Sequence, residues 1–349
     1  MKSILKKGLV VGTLAGTALV LSGCGSNQEV VYVYNWGDYI DENVNQMFEE
    51  ETGIKVVYDV YPTNEDMFAK LSSGGSSYDV VVPSDYMVEK MIKEDLVQKI
   101  DMSKITNYSK VNDEFKNLFY DVNNEYSVPY LWGTMGIVYN TTMVEEPVTK
   151  WADMWNPAYE GNVFMYDSER EGLMVALKKL GYSMNSKDEA ELEEAKQELI
   201  AQGPNVLAYV GDEGKGKMEN GEAAMMVAWA GDAMLMTKTN PDLAYVYPEE
   251  GTNFFVDALA IPKSAENVEN AHKYIDFLCR PDIAALNAQY VGYSTPIEEA
   301  RQLLPDEIKN NSIAYPDKAI IEEMEMFEDP GEALELYSRI WTEVKASNN

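Results

Sequence analysis

Cysteine and histidine are nearly missing from this chain of 349 residues, which holds two cysteines, Cys24 and Cys279, and one histidine, His272. Two cysteines build no disulfide framework. A lone histidine argues against a histidine-based triad and against a histidine-rich metal site, so no metal and no cofactor is expected. Its spacing sets His272 off the apolar stripe of a helix, and Cys279 near the end of the same helix reads as a small core residue. Basic residues are also scarce: 28 lysines and arginines face 59 acids, for a net charge of −31, and three of the lysines fall in the first seven residues. Nucleic acid and acidic membrane surfaces are poor partners for such a chain. Solubility accounts for most of this acidity, and the remainder favours a cationic ligand over an anionic one. The apolar run from Gly8 to Leu21 is too short to span a bilayer comfortably as a mature helix.

What is present begins with a secretory signal: basic Met1 to Lys7, then that apolar run. It ends in Leu21-Ser-Gly-Cys24, which resembles the lipobox of bacterial lipoproteins. Cleavage before Cys24 leaves it as a lipidated amino terminus, with residues 1–23 removed and residues 24–29 as a tether. The rest is more chain than one hydrophobic core usually serves, so two lobes are expected.

The stretch Val31-Tyr-Val-Tyr-Asn-Trp-Gly-Asp-Tyr-Ile40 sets a pattern that recurs. An apolar strand stops abruptly and delivers aromatic and acidic residues at its carboxyl end, where ligands sit in open α/β sheets. Asp41 to Glu51 and Asn64 to Leu71 have helical spacing, with Ile54 to Tyr58 a strand between them. Tyr78-Asp-Val-Val-Val82 reads as a buried strand ending in Pro83-Ser-Asp-Tyr86, and a helix follows. Residues 101–124 are irregular. Tyr126 to Tyr139 is a long extended run suited to crossing between lobes. Val163 to Tyr166 is a strand followed by Glu171; Ser186-Lys-Asp-Glu189 has capping-box form; and Gly211 to Gly216 reads as a loop, without the Gly-Lys-Ser/Thr of a phosphate cradle. Ala223 to Ala228 delivers Trp229 and Asp232, repeating the opening arrangement. Asn253 to Ile261 is the second crossing strand, and Asp257 inside it is costly unless it meets a cation or donors. Helices follow from Ser264, and the remainder to Lys345 is expected to be mostly helical and to pack on the second lobe.

Gathered together, five strand ends offer Trp36, Asp38, Tyr39, Ser84, Asp85, Tyr86, Glu171, Trp229, Asp232, Phe255, Asp257 and, from a later loop, Tyr293, with no lysine or arginine. Any one ring serves a core equally well, but the coincidence weighs for a site. Such a set suits a linear polyamine: carboxylates anchor protonated amines, and ring faces cover the methylenes and add cation–π attraction.

From about Val31 to the last helices the chain resembles the spermidine/putrescine-binding proteins of polyamine ABC importers. The resemblance is carried by Tyr34-Asn-Trp-Gly-Asp-Tyr39, Tyr78-Asp-Val-Val-Val-Pro-Ser84, Ser127-Val-Pro-Tyr-Leu-Trp-Gly133, Trp151-Ala-Asp-Met-Trp155, Ala176-Leu-Lys-Lys-Leu-Gly-Tyr-Ser183, Asp257-Ala-Leu-Ala-Ile-Pro262, Phe277-Leu-Cys-Arg-Pro-Asp282 and Gly292-Tyr-Ser-Thr-Pro296. It implies an α/β, two-lobed periplasmic-binding-protein fold, each lobe a sheet flanked by helices and joined to the other by two crossing strands. The lobes are expected at 30–132 with 257–300, and at 133–256 with 301–349. It further implies an aromatic box of Trp36, Tyr39, Tyr86, Trp229, Phe255 and Tyr293, a polar contact at Ser84, and Glu171 and Asp257 as the acids for amines. Asp38 and Asp232 match members inclined to putrescine. Spermidine-preferring members often differ at the positions of Asp232, Phe255, Ser168 and Phe327.

The expectation is therefore a monomeric, lipid-anchored extracytoplasmic receptor for putrescine or spermidine, working with membrane permease subunits and a cytoplasmic ATPase, and not an enzyme. The alternatives are a receptor for another cationic amine or a sugar, and a surface hydrolase using a carboxylate pair such as Glu171 with Asp257.

Overall fold

The computed structural model describes residues 28–75 and 77–348. The signal segment, Cys24 and the start of the tether lie outside the described residues. In chain order the elements are β1 (Val30–Trp36), α1 (Glu42–Thr52), β2 (Lys55–Tyr61), α2 (Asn64–Ser72), β3 (Val80–Val81), α3 (Asp85–Lys93), β4 (Ser127–Asn140), β5 (Val163–Tyr166), α4 (Glu169–Leu180), α5 (Glu189–Gln202), β6 (Val206–Val210), α6 (Glu213–Glu219), β7 (Met225–Trp229), α7 (Ala230–Thr239), β8 (Leu243–Val246), β9 (Phe254–Ala260), α8 (Val268–Leu278), α9 (Pro281–Val291), α10 (Glu298–Leu303), α11 (Asp306–Lys309), α12 (Lys318–Ile321) and α13 (Leu334–Ser347). Short 3₁₀ turns fill 102–121, the stretch read as irregular.

The strands form one mixed sheet in the order β2-β1-β3-β9-β4-β7-β5-β6, with β8 also on β4. Parallel β2, β1 and β3 make one flank, and parallel β6, β5 and β7 the other. The long β4 unites them. Its first half, Ser127 to Thr134, pairs antiparallel with β9, and its second half, Met135 to Asn140, pairs with β7 and β8. The cores divide at the same place. Val128, Leu131 and Trp132 join Val31, Phe48, Val256 and Tyr274 in one, whereas Met135 and Ile137 join Trp151, Leu173 and Trp341 in another. An α/β fold with β4 as a crossing strand is what the extended run from Tyr126 implied.

Several local expectations are corrected. The strand expected over Tyr78 to Val82 shortens to two residues, because the Asp79 carboxylate accepts from the backbone N–H groups of Tyr32, Glu266 and Asn267. Asp188, not Ser186, caps α5, accepting from Ala190 and Glu191 N–H. His272 is buried: its Nδ1 lies 2.7 Å from the Val268 carbonyl, and its Nε2 accepts from Asp101 N–H at 2.9 Å. The carboxyl-terminal stretch is less helical than expected. Ala300 and Leu304 sit in the first core, and α13 packs on the second through Tyr337, Ile340, Trp341 and Val344.

The most consequential correction lies at Gly211 to Gly216. The glycines suggested a loop, yet residues 213–219 form α6. A Cβ on Gly214 would stand 2.6 Å from a Val210 methyl and 2.8 Å from the end of Met226. That glycine serves close packing of the helix against the sheet.

Candidate ligand-binding site

The sheet brings the strand ends to one region. Trp36 closes β1, and Asp38 and Tyr39 follow it in the turn; Ser84 is the cap residue of α3 and Tyr86 lies in its first turn. Glu171 is in the first turn of α4, Trp229 ends β7, and Asp232 lies in the first turn of α7. Phe255 and Asp257 are two residues apart on β9, so both project from the same face. Tyr293 follows α9.

Four of the expected rings form a continuous line, tilted at the Tyr39 end and edge-to-face beyond it. Tyr39 lies 5.8 Å from Tyr293, Tyr293 5.6 Å from Phe255, and Phe255 5.1 Å from Trp229, centroid to centroid. Tyr166 extends the line, 6.1 Å from Trp229. The row runs from the first core to the second. Its closeness depends on Gly231, where a Cβ would stand 2.8 Å from the Tyr293 ring. Trp36 stands slightly apart, its indole N–H donating to the Val82 carbonyl at 2.9 Å and its ring tilted on Tyr61. Tyr86 is held by Asn64 and by Glu65, to which its hydroxyl donates at 3.0 Å.

Asp257 is the acid at the inner end. It is 4% exposed, accepts a short hydrogen bond from the Tyr39 hydroxyl, and has no hydrogen-bond partner for Oδ1. Burial pushes its carboxyl from 3.8 up to about 6, although the Ser84 and Tyr39 hydroxyls act in the opposite direction. Among the described residues no lysine or arginine forms a salt bridge with it. The same burial, with the Asp257 charge, raises the Tyr39 phenol well above its usual range. Next to them Asp85 is also buried and pushed well above the carboxylate range, but it is structural: it accepts from Tyr86 N–H at 2.7 Å and Val256 N–H at 3.3 Å, tying α3 to β9.

Glu171 is half-buried and takes a short hydrogen bond from Ser168; burial raises its carboxyl, with Ser168 and the Arg170 charge opposing. Asp232 is different. Lys215 from α6 reaches its Oδ1 at 2.9 Å, so this acid already holds an ammonium. Asp38 is exposed at the rim, in the left-handed region with φ of 50°.

Reading the sequence missed four residues that shape this region. Tyr166 ends a strand and follows the same rule as Trp36 and Trp229, so it was findable. Lys215 was hidden by its glycine neighbours. Arg170, 8% exposed, donates to the Glu328 carbonyl and lies over the rings of Phe327, Tyr337 and Tyr86; nothing in its local pattern distinguishes it from a surface arginine. Tyr61, whose phenol is raised by burial and by the Asp257 charge, backs Trp36 from the core.

A row of rings and buried acids between two cores joined by a crossing strand is the arrangement of a solute receptor that grips a small ligand between lobes. This chain belongs to the bacterial extracellular solute-binding protein family, whose model matches residues 44–316. It is 41% identical to the spermidine/putrescine-binding periplasmic protein of Salmonella typhimurium, over 95% of this chain and 97% of that one. Among solved structures it is similar to the spermidine/putrescine ABC transporter substrate-binding protein PotD of Streptococcus pneumoniae, at 41% identity and a TM-score of 0.84, covering 92% of this chain and 100% of that one. It is also similar to the TpPotD lipoprotein of Treponema pallidum, at 31% identity and a TM-score of 0.83, covering 90% and 99%. The periplasmic-binding-protein fold expected from the sequence is thereby established.

Proposed function

We propose that this chain is an extracytoplasmic polyamine receptor that delivers putrescine or spermidine to an ABC importer. The observation that carries the reading is Asp257: a buried carboxylate with an unpartnered oxygen beside a row of aromatic rings. A buried carboxylate that lacks a cation is expensive, and a protonated amine compensates it while the rings cover the methylenes. The names of the relatives point to the same ligand class. Trp36, Tyr39, Ser84, Tyr86, Glu171, Trp229, Asp232, Phe255, Asp257 and Tyr293 make up the site, with Asp38 at its rim. A quaternary ammonium needs an aromatic cage with few acids, so this many carboxylates disfavour it.

Residues 30–132 with 257–300 form one lobe and 133–256 with 301–349 the other, the last stretch starting on the first core before α13 joins the second. The lobes close on the ligand by hinge motion, and the closed form is presented to the permease. Binding alone is the activity, with no covalent step. Lipidation of Cys24 holds the monomer at the outer face of the cell membrane, in keeping with the lipoprotein among its relatives. Calorimetry of the mature chain with putrescine, cadaverine and spermidine tests the reading: heat of binding is expected with polyamines, and heat with a sugar panel alone overturns it.

A further inference from the structure

Lys215 has no place in the family reading, yet it occupies one of the acids assigned to ligand. Its Nζ lies 2.9 Å from Asp232 Oδ1 and 3.9 Å from Asp212 Oδ1. The Asp232 side chain is 13% exposed and the Lys215 side chain 36%, so the pair is desolvated on the acid's side and partly open to solvent on the lysine's. Burial works to lower the Lys215 ammonium, but Asp232, Asp212 and Asp38 together outweigh it and leave it raised, hence firmly charged. The pair lies beside the site: the Asp232 charge adds to burial in raising the phenols of Tyr293 and Tyr166, and the Tyr293 ring is one step along the aromatic row from Tyr39 and Asp257.

We propose that Lys215 is a specificity-determining residue that stands in for one ammonium of a longer polyamine. This rests on the polyamine reading above. Three half-buried or buried acids border the aromatic row, Glu171, Asp257 and Asp232. Lys215 neutralises the third, which leaves two for the two ammonium groups of a diamine. A triamine brings its extra ammonium towards an acid already paired with a cation, and the two cations repel. The site thus selects short diamines by filling a subsite with its own side chain, a repulsive element and not an additional attraction. α6 holds the lysine in place because Gly214 lets the helix lie close on Val210 and Met226.

The test is calorimetry of putrescine and spermidine on three full-length mature proteins, wild type, Lys215→Met and the double variant Lys215→Met with Asp232→Asn, each checked for cooperative thermal unfolding. In Lys215→Met the ratio of spermidine to putrescine affinity is expected to rise about tenfold or more, the scale of one charge-assisted hydrogen bond. In the double variant, where neither the lysine nor the acid remains at position 232's subsite, the ratio is expected to return towards wild type. A ratio within about twofold of wild type in Lys215→Met, or an equal loss of both ligands, overturns the role given to Lys215. Absence of binding to either amine by the wild-type protein overturns the polyamine reading itself.

Discussion

Asp257 and Asp232 both read in the sequence as carboxylates of the ligand site, one inside a crossing strand and the other just after a strand's end, and the fold treats them oppositely. Asp257 lies inside β9 with hydroxyl donors and no cation. Asp232 lies in the first turn of α7 with Lys215 on it. Both carboxyls are raised by burial, but only one is left for a ligand to neutralise. The number of acids in a site therefore overstates its appetite for cations. What matters is how many lack an internal partner.

The sharpest way to break this contrast is to remove each charge in turn. Asp257→Asn is expected to cost about 3–5 kcal/mol of polyamine binding, because the ammonium loses its buried counter-charge. The same substitution is expected to stabilise the ligand-free protein at pH 7.5 by up to about 3 kcal/mol, the equivalent of the shift of its carboxyl; calorimetry and thermal unfolding read the two effects. Asp232→Asn is expected to cost less, about 1–2 kcal/mol, and to do so by exposing the ligand to an unpaired Lys215. Adding Lys215→Met should then recover most of the putrescine affinity.

Rings come next. Trp229→Ala, which opens the row between Phe255 and Tyr166, is expected to weaken binding by about 1–2 kcal/mol without abolishing it. Asp38→Asn is the smallest, below about 0.5 kcal/mol and vanishing at high salt, since that carboxylate is exposed.

Titration sharpens the contrast further. The folded Asp257 carboxyl at about 6 exceeds its unfolded 3.8. Between those values the folded protein holds a proton that the unfolded chain does not, so this group's contribution to stability falls as pH rises through the window and is level above it. Bound ammonium requires the ionised form, so affinity moves the other way. It is expected to fall by up to about tenfold per unit as pH drops below about 6, measured by calorimetry at several pH values.

Much of this was legible in the chain because the architecture follows short-range rules. Runs such as Val31 to Trp36 and Val163 to Tyr166, rich in β-branched and aromatic residues, are strands where they were read. Gly53 and Gly181, at φ of 73° and 81°, end helices where glycine is favoured. The strand-end rule picked out Tyr39, Phe255 and Trp229, a later loop added Tyr293, and in the fold these four rings lie in one row. What stayed hidden depends on partners far apart in sequence. The Tyr39 to Asp257 bond spans 218 residues, and no local pattern shows it. Lys215 was obscured by a local rule that pointed the wrong way, since glycine marks both flexible loops and tightly packed helices. His272 was misplaced for a related reason: its stripe faces solvent until the backbone around Asp101 covers it.

The central claim is that Asp257 is the uncompensated acid that receives an ammonium group, and paired calorimetric titrations of putrescine into wild type and Asp257→Asn at pH 7.5 test it most directly. The account predicts saturable binding to wild type and a loss of about 10²-fold or more in the variant, which still unfolds cooperatively at an equal or higher temperature. Equal affinity in the two proteins would contradict it.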